Sequence, residues 1–255
     1  MKTQKIFWFL ALILLVFSFQ GCKKDKTDKT DDRGDTVVDK DGNVYHLVTI
    51  GNQVWTVENL RTRHYQNGDP IQNGSGIKSS STDDTTATFW AYDNNSSYIL
   101  DYGLLYNWYA ANDARNIAPI GFHVPSDEEF GGLVNSLGGD YYLMPYGDTI
   151  AGSKLKEEGT DHWGIPGDPG FNVDATNSSK WSGRGGGCRY LGAYGYIFRM
   201  LNSSGVWWST TSSPGIAGVT NANIMALYEN KKGAERGGGL KDNGFSVRCI
   251  KNKQK

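Results

Sequence analysis

The chain is short of the groups that most metal, redox and nucleophilic sites are built from. Among 255 residues there are only three cysteines, Cys22, Cys188 and Cys249, and four histidines, His46, His64, His123 and His162. No two histidines stand at metal-ligand spacing, so each reads as a surface or packed side chain. A G-x-S-x-G nucleophile elbow is absent, and the glycine-rich Ser182 to Cys188, SGRGGGC, lacks the Lys-Ser/Thr pair of a phosphate-cradling loop. Charge is nearly balanced at −1, which argues against a nucleic-acid partner. Only one long apolar run occurs, Ile6 to Phe19, too short to span a bilayer comfortably.

That run follows Lys2 and Lys5 and leads into Gln20-Gly21-Cys22, the layout of a secretory signal. A cysteine directly after a small residue is what lipid attachment requires. Residues 1–21 therefore read as a lipoprotein signal peptide, with Cys22 lipidated and the chain held to a membrane by that lipid. The following KKDKTDKTDDRGD carries five basic and five acidic residues, and residues 22–35 offer nothing to pack. Such a segment is a solvated tether, reaching at most about 45 Å when extended. It resembles the charged region after the lipidated cysteine in surface-exposed lipoproteins of Bacteroidetes-type bacteria. That resemblance implies an outer-membrane location facing the cell exterior.

What is abundant is aromatic and glycine: Trp 8, Tyr 14, Phe 10 and Gly 33. Residues 36–252 are enough for one large domain, with 253–255 a polar tail. Its start reads as a β-meander: Thr36 to Val38, a turn at Asp41-Gly42, Val44 to Ile50, a second turn at Gly51-Asn52, and Gln53 to Val57. A helix is signalled at Ser126-Asp127-Glu128-Glu129. Ser126 and Glu129 form a capping box, three carboxylates face the positive end of the dipole, and Gly138-Gly139 supplies the stop. Tyr102 to Ala111 reads as a buried strand or short helix. Gly205 to Thr211, Asn223 to Tyr228 and Gly244 to Ile250 read as strands.

The long polar stretch from Gln66 to Tyr98 is broken by Phe89-Trp90-Ala91-Tyr92. These rings either stack on a sugar, as a flat aromatic face suits the C–H face of a pyranose, or pin the loop to the core. Trp163 and Trp181 are the further candidates for such a ligand surface. Asp168, Asn172 and Asp174 present hard oxygens at short spacing, which suits a structural calcium or simply solvates the loop. Cys188 and Cys249 either pair, as an oxidising compartment favours, or remain free.

DGNVYHLVTIGNQVWTVENL (Asp41 to Leu60), YGLLYNWYAA (Tyr102 to Ala111), GFHVPSDEEF (Gly121 to Phe130), KLKE (Lys154 to Glu157), WWSTT (Trp207 to Thr211) and GFSVRCIK (Gly244 to Lys251) resemble, in this order, the Fibrobacter succinogenes major paralogous domain. The departures are small, with Thr56-Val57 where Met-Ala is usual and Phe122 where Trp is common. The resemblance implies secretion and surface display; the family carries no established activity. Its layout is similar to the C-type-lectin-like fold. That implies an α+β domain of short twisted antiparallel sheets, one or two main helices and long irregular loops.

Two functions remain open at this level. One is a non-catalytic binding or adhesion module for a glycan or a surface protein. The other is a degenerate or uncharacterised enzyme of the formylglycine-generating branch. Those enzymes hold copper with two close reactive cysteines, whereas Cys188 and Cys249 are far apart in sequence.

Overall fold

A computed structural model describes residues 34–76, 85–143, 149–164, 171–172, 174–193, 195–214 and 220–253. The domain is α+β, with strand outweighing helix 37% to 15%, so the helices are accessory to the sheets.

The first sheet opens with the expected meander: β1 (Thr36–Val38), β2 (Val44–Ile50) and β3 (Gln53–Thr56). The β1–β2 turn is set by Asp39, whose buried carboxylate accepts from the backbone N–H groups of Asp41 and Asn43, both at 2.9 Å. A small three-stranded sheet follows, from β4 (Gln72–Asn73), β5 (Thr88–Trp90) and β6 (Leu105–Tyr106). Tyr102 to Ala111 is neither one strand nor one helix. It divides into α1 (Ile99–Tyr102), β6 and α2 (Trp108–Ala111). Gly103 causes the first break: its φ is +77°, and a Cβ there would lie 2.7 Å from that of Asn59.

After β7 (Phe122–His123) comes the main helix α3 (Asp127–Ser136), with the cap the sequence predicts. Ser126 Oγ accepts from Glu129 N at 3.2 Å, and Glu129 Oε2 accepts from Ser126 N at 2.8 Å. The stop is also as expected. Gly138 has φ +81°, its N–H bonds Asn135 O, and Gly139 N–H bonds Val134 O, which closes the orphan carbonyls. Asp127 does more than face the dipole, since both its oxygens accept from Arg236 Nε, at 3.1 and 2.8 Å. His123 bonds the Glu129 carboxylate at 2.9 Å, and this contact raises its pKa from the ordinary histidine value.

A short α4 (Ala151–Leu155) leads to the second sheet. That sheet comprises β8 (Gly186–Gly192), β9 (Gly195–Leu201), β10 (Ser204–Ser213), β11 (Asn221–Tyr228) and β12 (Ala234–Leu240), in the order β12-β11-β10-β8-β9. Two short pairings, β10 with β8 and β4 with β5, are parallel. Three of these strands, β8, β9 and β12, are not among the strands expected from the sequence, and β8 and β12 are glycine-rich. Glycine serves there as a spacer: a Cβ on Gly239 would lie 2.4 Å from the Phe245 ring. The last expected strand, Gly244 to Ile250, pairs as a ladder only at its end, β13 (Ile250–Lys251). Upstream it runs extended between the sheets, bonding Tyr106, Val206, Leu60 and Thr56 in turn.

Trp207 and Trp208 explain how the core divides. Successive residues of a strand point to opposite faces, and both indoles are fully buried, so β10 is covered on both sides. Trp207 joins Trp55, Phe130, Leu133, Trp163 and Trp181 beneath α3. Trp208 joins Tyr45, Leu60, Tyr106, Phe245 and Val247 on the other side.

Against the indoles of the core beneath α3 lies Arg248, also buried. Its Nε donates to Asn59 Oδ1 at 3.0 Å, its Nη1 to Trp181 O, and its Nη2 to Ser182 O at 2.9 Å. The guanidinium lies 3.7 Å from the Trp181 ring centroid and 5.8 Å from that of Trp207. Asn59 Oδ1 also accepts from Trp207 Nε1 at 2.8 Å, while Asn59 Nδ2 donates to Tyr102 O at 2.8 Å. Burial pushes the Arg248 pKa down to about 9, which leaves the group charged at neutral pH. Replacing Asn59 by Leu strands two buried donors, Arg248 Nε and Trp207 Nε1. It is expected to cost about 3–5 kcal/mol in urea denaturation. Asn59→Asp, which keeps the acceptor oxygen for both donors and loses the N–H to Tyr102 O, should cost less; a loss under about 1 kcal/mol for Asn59→Leu contradicts the central role of this contact.

Candidate functional site

The surface with a concentration of partly exposed rings is built around the β8–β9 hairpin. Arg189 and Phe198 are cross-strand partners, as are Leu191 and Tyr196, so Arg189, Tyr196 and Phe198 share one face of the ladder. Onto this face the segment after β5 folds as two 3-10 turns, Tyr92–Asn94 and Ser96–Tyr98. Asp93 and Asn94 take left-handed backbone angles, φ 51° and 54°, and the Asn95 side chain caps Ser97 N at 3.0 Å. The path is therefore bent sharply enough to bring Tyr92 and Tyr98 together.

The rings form a continuous series. Phe198 lies 5.5 Å from Tyr92 between centroids, Tyr92 lies 5.7 Å from Tyr98, Tyr98 lies 6.1 Å from Tyr102, and Tyr102 lies 5.4 Å from the His162 imidazole. These are mostly edge-to-face contacts, the arrangement the ring quadrupole favours. Phe198, Tyr92, Tyr98 and His162 are partly exposed, while Tyr102 is buried between its neighbours. Gly187 makes the close approach possible. Its φ is +65°, and a Cβ there would lie 2.6 Å from Arg199 O and 2.8 Å from the Tyr92 ring. The last glycine of SGRGGGC is thus a spacer for the stripe.

At the His162 end the stripe becomes polar. His162 Nδ1 lies 2.5 Å from Glu157 Oε2, Arg184 Nε donates to Glu157 Oε1 at 3.0 Å, and Arg184 Nη1 donates to Asp101 O at 3.0 Å. The Asp101 carboxylate stands 3.6 Å from Arg184 and is half exposed. Burial works to raise the Glu157 pKa, but the His162 contact and the Arg184 charge outweigh it, and the carboxyl is held below its usual range. Burial, with Asp101 adding to it, pushes the Tyr102 phenol up to about 12. Its hydroxyl donates to Asn202 Oδ1 at 2.6 Å. The result is a row of partly exposed rings, packed mostly edge to face, ending in oriented carboxylates and an arginine.

Of the residues the sequence offers for a ligand surface, only Tyr92 belongs to this stripe at the surface. Phe89 and Trp90 are 5% exposed, and Trp163 and Trp181 are 0% exposed. The second expectation for the Phe89 cluster, pinning the loop, describes Phe89 and Trp90. Trp163 Nε1 donates to Gly183 O at 2.8 Å, and Trp181 is the face on which Arg248 rests, so both indoles are committed to the core. Tyr98, Tyr102, Phe198, His162, Glu157 and Arg184 were not candidates, because they come from four separated segments. The one local signal was the glycine run, which marks a close backbone approach.

Asp168 and Cys22 lie outside the described residues. Asn172 Nδ2 donates to Glu157 O at 2.8 Å and Gly159 O at 2.5 Å, and Asp174 pairs with Lys232. These two thus bind the loop to the domain, and among the described residues no three acidic, histidine or cysteine groups gather as metal ligands. A pocket of about 170 Å³ beside Val38, Lys40, Gln66 and Ile120 is smaller than ordinary small-molecule sites.

Comparison with known proteins gives a match of residues 48–251 to one family model, the Fibrobacter succinogenes major domain. No curated protein and no solved structure matches the chain.

Cys188 and Cys249 are not bridged; both are free and buried. Burial pushes the Cys188 thiol up to about 11 and the Cys249 thiol higher still. In the folded protein neither should react with a disulfide exchange reagent over minutes at pH 8, and both should react at once in denaturant. A mass two units below that of the dithiol, or rapid labelling of the native chain, contradicts this arrangement.

Proposed function

The chain belongs to the Fibrobacter succinogenes major domain family, and from that premise we propose that it is a non-catalytic surface lipoprotein whose β8–β9 aromatic stripe binds a saccharide. The observation that carries the reading is the unbroken run Phe198–Tyr92–Tyr98–Tyr102–His162 beside Glu157, Arg184 and Asp101. Pyranose rings present an apolar C–H face and a hydroxyl rim. Partly exposed rings take the face, carboxylates accept from the rim hydroxyls and a guanidinium donates to them. Each ring is worth about 0.5–1.5 kcal/mol, so a single sugar binds weakly and an oligomer along the stripe binds usefully.

Display fits the same picture. No helix among the described residues is long and apolar enough to cross a membrane. The lipid on Cys22 and the charged tether would hold the domain at the outer face of the outer membrane. Proteolysis of intact cells should release the domain, and protection equal to that of a periplasmic marker argues for the inner side. The C-type-lectin-like likeness belongs to this reading as well, supported by small curled sheets around one capped helix. The formylglycine-generating alternative is the weaker one: the two thiols are free, but their raised pKa values disfavour the thiolates that copper would need.

Affinity electrophoresis through gels containing soluble polysaccharides tests the function. Retardation is expected with at least one polysaccharide, and Tyr98→Ala should weaken it about 5–10-fold, the loss of one stacking ring. Retardation untouched by both Tyr98→Ala and Tyr92→Ala removes the stripe from the function.

A further inference from the structure

At the end of the stripe away from His162, Arg189 is held in an unusual way. Its guanidinium is sandwiched between two rings, 4.1 Å from the Trp90 centroid on the core side and 3.9 Å from the Tyr196 centroid. The residue is 5% exposed. Among the described residues its guanidinium makes no hydrogen bond and no ion pair. The acid that acts on it, Asp242, does so at longer range, and that carboxylate accepts from the Tyr196 hydroxyl. The desolvation is not fully compensated, and the Arg189 pKa is pushed down to about 10.

The contrast with Arg248 is informative. Arg248 also lies on indoles, but its donors reach Asn59, Trp181 and Ser182. Arg189 has the aromatic faces without the acceptors. Stacking satisfies the faces of a guanidinium and leaves its edge unbonded, and no Arg189 nitrogen is among the fully buried unpartnered side-chain atoms of the described residues, so that edge is open to an incoming acceptor. Two rings also hold the plane fixed, so its fork is oriented in advance for a planar bidentate acceptor. A carboxylate matches that fork in both geometry and charge.

Arg189 shares its face of the hairpin with Phe198, the first ring of the stripe. We propose that Arg189 is an anion subsite continuous with the stripe, and that the saccharide it takes is an acidic one, bearing a uronate-type carboxylate. The inference rests on the stripe as a saccharide site. Sugar rings stack along Phe198, Tyr92 and Tyr98, and the carboxylate of a terminal or internal acidic unit enters between Trp90 and Tyr196 to meet the guanidinium edge. Asp242 holds Tyr196 in place as the outer wall. A neutral sugar meets the same rings but leaves the guanidinium unbonded, so it binds more weakly.

Calorimetric titration of the full-length lipidated chain in detergent micelles, with oligogalacturonate and with its methyl ester, tests this. The wild type should bind the acid about 10-fold more tightly than the ester, as expected for one charge-assisted hydrogen-bonded pair. Arg189→Gln should bring the acid down to the ester's affinity while leaving the ester nearly unchanged. Arg189→Lys, which keeps the charge and loses the fork, should retain only part of the preference. Equal wild-type affinity for acid and ester, no binding of either, or a preference that survives Arg189→Gln overturns the subsite. The stripe fails separately: acid binding abolished by Arg189→Gln yet indifferent to Tyr98→Ala keeps the anion subsite and rejects the stacking surface. Ester binding that is lost with Tyr98→Ala, without any acid preference, does the reverse.

Discussion

A buried guanidinium held by neutral partners, Arg248, is the contact on which the rest of this domain depends. Its three guanidinium nitrogens donate to an amide oxygen and two main-chain carbonyls, and its faces meet Trp181 and Trp207. Removing a charge from water is costly, and dipoles must replace the lost hydration. The domain supplies them from segments far apart in the chain: Asn59 after the first meander, Trp181 and Ser182 ahead of β8, and Trp207 on β10. Each of these groups is useful to the guanidinium only when all are in place. The contact therefore specifies one arrangement of the two sheets, more than it adds net stability.

The same contact sets the geometry of the surface. Asn59 uses its amide N–H to hold Tyr102 O, which fixes the buried ring of the stripe. Arg248 holds Ser182 O, two residues before Arg184, the arginine that orients Glu157. Both sides of the polar end are thus anchored to one buried group, while Gly187 lets Tyr92 come against β8. The rings and the charges do not wait for a ligand to gather them. A stripe held in this way loses little conformational freedom on binding, which is what weak stacking contacts need in order to count.

Much of the frame was legible in the chain, and the reasons are local. A capping box needs only Ser126 and Glu129, three residues apart, and a Schellman stop needs only Gly138 and Gly139. The meander likewise follows from Asp41-Gly42 and Gly51-Asn52. Strands β8 and β12 were hidden because glycine weakens the strand signal, although there it is the residue that makes room for Tyr92 and Phe245. The site was less legible. An aromatic residue looks the same in sequence whether it faces water or not, so Trp163 and Trp181 read as ligand candidates when their indoles serve the core. Their role depends on Gly183 and Arg248, partners that only the fold brings near. Glu157, Arg184 and His162 were legible as residues but not as a cluster, and the free state of Cys188 and Cys249 depends on where two separate strands pass.

The central claim is that a fixed stripe of rings on the β8–β9 face accepts the C–H faces of sugar rings. Saturation-transfer NMR measures this directly, by irradiating the protein's aromatic protons in the presence of a bound oligosaccharide. Transfer should be strongest to the ring C–H protons on one pyranose face and should fall sharply in Tyr98→Ala. Transfer that is uniform over the sugar, or unchanged in Tyr98→Ala, would contradict the account.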